Sequence, residues 1–92
     1  MGRFLIEVPH EDTAAACARA AELLLRTGSH FLTHADYGCR DGVHKAWIIV
    51  DVDSKDDARN VVPPELRSVA SIVGLNHFTM AMVDELKRRH DS

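Results

Sequence analysis

The sequence predicts an α+β domain, an antiparallel sheet packed against helices. Three stretches carry that expectation. Residues 3–8 alternate, with Phe4, Ile6 and Val8 opposite Arg3, Leu5 and Glu7, which is the period of a strand with one strongly apolar face. Residues 13–27 are rich in alanine and leucine and confine their charges to Arg19, Glu22 and Arg26. Those spacings of three and four place the charges on one helical stripe. Residues 46–50 form a nearly continuous run of β-branched and aromatic side chains, apolar on both faces, as in a central strand covered on both sides.

The other elements follow in order. Pro9 and His10 end the first strand, with His10 read as a loop histidine. Asp12 or Thr13 caps the first helix, and Gly28 stops it, because a left-handed C-cap costs glycine nothing sterically. Residues 29–37 read as a second strand. Phe31, Thr33, Ala35 and Tyr37 lie on one side, and His30, Leu32, His34 and Asp36 on the other. Residues 38–42, with a glycine at each end, form the hairpin loop into a third strand over 43–52. Asp53 or Ser54 caps a short helix that Pro63-Pro64 ends. Residues 70–78 make a fourth strand, and Thr79 caps a last helix over 80–89.

Ninety-two residues make one domain, 1–92, with a modest core. The chain is 46% hydrophobic and 27% charged, neither a disordered nor a fibrous profile. Its net charge of −3 argues against nucleic acid as a partner, since phosphate binding needs a basic field. Cys17 and Cys39 lie 22 apart and form no CxxC or zinc-knuckle spacing. Free thiols, with no export signal and no apolar run of membrane-spanning length, point to a cytoplasmic setting and to no membrane partner.

The order β-α-β-β-α-β plus a terminal helix is the ferredoxin-like pattern, with the first and third strands central. Its helices cover one face of the sheet and leave the other bare. Val43, Trp47 and Ile49, joined by Phe31 and Tyr37, would form an apolar patch there, and a homodimer is the simplest cover. In this pattern the chain resembles the dimeric α+β barrel proteins, which include muconolactone isomerases and small heme-degrading or quinol monooxygenases. The resemblance spans nearly the whole chain and implies two sheets facing each other with helices outside. No catalytic motif of a named member occurs, so it assigns no site residue.

The chemically useful side chains crowd into the hairpin: His30, His34, Asp36, Tyr37, Cys39 and His44. Residues four apart on a strand are separated by about 13 Å, so His30 and His34 cannot share an ion. With 38–42 as the loop, Tyr37 would face Val43, Asp36 would face His44 and His34 would face Ala46. That register gathers His34, Asp36 and His44 on one face, with Cys39 joining from the loop. Two histidines and a carboxylate suit a transition metal such as Fe, Zn or Ni. Alternatively His34 or His44 serves as a general base oriented by Asp36. Tyr37 and Trp47 would then line the pocket of a small isomerase or monooxygenase without a tightly bound cofactor. The blander alternative is a structural or regulatory dimer with no small-molecule ligand. A stacking platform for RNA would need several aromatics where the third strand has only Trp47.

Overall fold

The computed structural model describes residues 2–26 and 34–91. Within them the chain runs β1 (Gly2–Pro9), α1 (Ala14–Arg26), β2 (Asp36–Tyr37), β3 (Lys45–Val52), α2 (Lys55–Val61), β4 (Ser71–Leu75) and α3 (Met80–Asp91). The strands form one antiparallel sheet in the order β2-β3-β1-β4. The fold is therefore α+β, a four-stranded antiparallel sheet with three helices, and β1 and β3 are its central strands.

Each helix begins where a hydroxyl can satisfy a first-turn amide. Thr13 Oγ1 accepts from the Ala16 N–H at 3.0 Å, so Thr13 rather than Asp12 caps α1. Ser54 Oγ does the same for Asp57 at 3.0 Å, and Thr79 Oγ1 for Met82 at 3.2 Å. The predicted stop at Gly28, and the part of the second strand with His30 and Phe31, lie outside the described residues. Among the described residues of that strand, only Asp36–Tyr37 pairs.

The two faces of the sheet follow from register. Partners across β1 and β3 include Ile6 with Ile48 and Val8 with Ala46, and Ile6 also pairs with Ile72 of β4. These point toward the helices and join Leu24 of α1 and Ala58 of α2 in one buried core. Each fully buried aliphatic side chain contributes about 1.5–3 kcal/mol. The opposite face carries Leu5, Trp47, Ile49 and Val73, of which Ile49 is 57% and Val73 48% exposed.

The hairpin register differs from the expected one. Asp36 pairs with Trp47 and Tyr37 with Ala46. The shift is three residues, an odd number, so it exchanges the faces. Tyr37 stands with Ala46 on the helix side, and Asp36 stands with Trp47 on the open side. The turn explains why. Residues Cys39–Asp41 wind into a 3-10 turn, and Gly38 pairs back through its N–H to Lys45 O at 3.1 Å, so Val43 and His44 belong to the turn rather than to the ladder.

No residue of α3 belongs to the described core. Its apolar side chains Met80, Met82 and Leu86 are exposed, as is Phe78 just before it. The radius of gyration, 16.3 Å, exceeds the roughly 12 Å expected of a compact chain this long. Among the described residues, no helix is long and apolar enough to cross a membrane.

Candidate metal centre

The alternation of β1 and β3 continues past their ends and places two histidines side by side. Val8 opposes Ala46, and two residues further along each chain stand His10 and His44. The His10 N–H donates to His44 O at 3.1 Å, so the pairing continues there. Their rings meet edge to face, with centroids 5.5 Å apart. The turn after β2 brings Cys39 to them. One potential ligand atom from each of His10, Cys39 and His44 lies within 4.8 Å of the other two, and all three residues are half-buried.

Hydrogen-bond bookkeeping fixes what each ring can offer. His10 Nδ1 lies 2.9 Å from the backbone carbonyl of Glu11, which only accepts. Nδ1 therefore carries the proton and Nε2 the lone pair. Nε2 in turn sits 3.0 Å from Cys39 Sγ. His44 Nε2 lies 2.8 Å from Asp12 Oδ1, so Nε2–H donates to the carboxylate. This leaves His44 Nδ1, which is buried and has no hydrogen-bond partner. An orphaned buried nitrogen costs about 1–3 kcal/mol. A ring whose outer N–H is held by a carboxylate or carbonyl while the inner nitrogen stays free is the arrangement that metal-ligating histidines adopt.

Cys17, in the first turn of α1, lies against Cys39 at the edge of the cluster. Its Sγ lies 2.8 Å from Cys39 Sγ. That contact, together with burial, pushes the Cys39 thiol above its ordinary pKa. Burial first, and then the two cysteines, push the Tyr37 phenol up as well. A cleft of about 480 Å³ opens beside the group, with Asp12, Cys17, Cys39, Arg40 and His44 in its walls.

The sequence-predicted residues divide accordingly. His44 and Cys39 come together, joined by His10, with Cys17 against Cys39 outside the group. Asp36 stands on the opposite face from His44, and His34 is exposed outside any strand, so neither reaches the cluster. Trp47 and Tyr37 lie on opposite faces of the sheet. The Trp47 indole N–H instead donates to Glu7 Oε1 at 3.1 Å, and its ring lies across Gly38. A β-carbon at Gly38 would meet that ring at 2.8 Å and Val43 O at 2.7 Å, so the close approach requires glycine. At the other end of the turn Gly42 has φ 82°, a left-handed conformation that glycine adopts freely.

No protein-family model, curated protein or solved structure matches this chain.

Proposed function

We propose that the protein is a ferredoxin-like homodimer that binds one zinc-class divalent ion per chain through His10 Nε2, Cys39 Sγ and His44 Nδ1. The observation that carries this reading is the convergence of three potential ligand atoms within 4.8 Å. A tetrahedral zinc site, with Zn–N about 2.0–2.1 Å and Zn–S about 2.3 Å, holds its ligands roughly 3.3–3.6 Å apart. Small side-chain adjustments close that gap. Imidazole and thiolate together favour Zn(II) over the harder, oxygen-seeking cations. Three protein ligands leave a fourth position for water or a small ligand, and the cleft beside Cys39 and His44 gives access to it.

The assembly is part of the same proposal. The strand order, with α1 and α2 sharing one core, supports a ferredoxin-like sheet whose other face is bare. Leu5, Ile49 and Val73 on that face, and the exposed apolar stripe of Phe78, Met82 and Leu86, support a second copy as the cover. Sedimentation tests it: a dimer at micromolar concentration, converted to monomer by Ile49→Glu, is the expected result, and a wild-type monomer contradicts it.

Elemental analysis of protein purified without an affinity tag tests the metal reading. One zinc or similar ion per chain, and a melting temperature raised by added zinc, are expected. Metal-free protein with an unmoved melting temperature contradicts it.

A further inference from the structure

The ligand set leaves one nucleophilic group unused, Cys17, and that group touches the only sulfur in the set. We propose that Cys17 and Cys39 form a reversible disulfide within the chain. Its closure withdraws Cys39 from the metal and makes occupancy of the site depend on thiol oxidation. The competition rests on the metal reading, but the disulfide does not.

Three observations carry the inference. The two Sγ atoms are 2.8 Å apart with both thiols free, so closure to a bond of about 2.05 Å needs a movement of less than about 1 Å. Cys17 and Cys39 lie in the walls of the same cleft, where a small oxidant can reach either sulfur. The sulfur that Cys17 approaches is also the one 3.0 Å from His10 Nε2, so one atom serves both partners. A sulfur bonded to another sulfur has no thiolate to give a metal.

With hydrogen peroxide as oxidant, one thiol attacks a peroxide oxygen, the O–O bond breaks, and a sulfenic acid and water form. The second thiol then displaces hydroxide from the sulfenic sulfur, which leaves with a proton as water. Two thiols and one hydrogen peroxide become one disulfide and two waters. Cys17 and Cys39 lose two electrons and the peroxide gains them. A dithiol reductant reverses the change by thiol–disulfide exchange and is itself oxidised.

The test begins with metal-free protein treated with hydrogen peroxide. The expected product has lost two hydrogens by intact mass and both maleimide-reactive thiols. Its proteolytic map links Cys17 to Cys39, and dithiothreitol restores the starting mass. Cys17→Ser should give no such link while still binding zinc. The oxidised wild-type protein should lose zinc binding, and zinc added first should slow the oxidation. Retention of both thiols, or a link only between separate chains, would overturn the disulfide. Equal zinc binding by oxidised and reduced protein would overturn the competition. Reduced protein that binds no zinc would overturn the metal reading, and the mass shift alone would then decide the disulfide.

Discussion

His10 and His44 are cross-strand partners one step beyond the last ladder pair of β1 and β3, joined by a 3.1 Å hydrogen bond from His10 N–H to His44 O. The ends of the two central strands therefore set both residues side by side. The Glu11 carbonyl and the Asp12 carboxylate take one nitrogen of each ring, which leaves His10 Nε2 3.0 Å from Cys39 Sγ and His44 Nδ1 buried without a hydrogen-bond partner.

Asp12→Ala should weaken zinc binding about tenfold, the low end of the 10–100-fold range for such supporting contacts, because the Asp12 side chain is 87% exposed. His10→Ala and His44→Ala each remove a ligand and should cost more than Asp12→Ala does. Competition titration against a chromophoric chelator reads all three. Equal affinities across the series would separate the histidines from the metal.

Zinc affinity should rise with pH between neutral and mildly alkaline conditions. The neighbouring Cys17 thiol and burial hold the Cys39 thiol protonated over a wider range than usual, and binding must expel that proton. Below the thiol's pKa the expected slope is up to about tenfold in affinity per pH unit for that proton. Cys39→Ser should lose this part of the slope. Titrations at stepped pH in a buffer that does not bind zinc measure it.

Gly38→Ala should destabilise the fold by about 1–3 kcal/mol, because one of the three atoms its β-carbon would strike is the backbone oxygen of Val43, which cannot swing aside. Gly42→Ala meets no neighbour and carries only the left-handed backbone cost, about 1–2 kcal/mol. Urea midpoints rank the two, and Gly38→Ala should be the worse because it also displaces Trp47.

Acid should unmask Glu7. Its carboxyl is held below its ordinary value of 4.5 by the Trp47 indole N–H first and by Lys45 second. A lowered pKa in the folded state means that the contribution is present above the unfolded value and is lost as pH falls through the folded one. Denaturation of the wild type below about pH 4.5 should therefore steepen relative to Glu7→Gln. Parallel acid curves would show that Glu7 is not held this way.

Much of the fold was legible in the residues. The alternation of Phe4, Ile6 and Val8 and the apolar run from Ala46 to Val50 mark the two central strands correctly. Thr13, Ser54 and Thr79 stand where the helices begin. The site was legible only in part. His44 and Cys39 were within view, but the hairpin register was not, because the 3-10 turn consumes residues that look like strand. An odd shift then puts Asp36 on the wrong face. His10 was missed although the signal for it was present. The alternation of β1, carried one step past Pro9, already places His10 on the core side opposite His44. Cys17 could not be found this way, since only packing of α1 on the sheet brings it to Cys39.

The most direct test of the account is a cobalt(II) titration of the reduced protein followed in the visible and near ultraviolet. One equivalent per chain should produce intense tetrahedral ligand-field bands with a thiolate-to-cobalt charge-transfer band. The charge-transfer band should vanish in Cys39→Ser, and the tetrahedral bands should weaken in His10→Ala. A weak octahedral spectrum, or a spectrum that His10→Ala and Cys39→Ser leave unchanged, would contradict a metal site built on His10, Cys39 and His44.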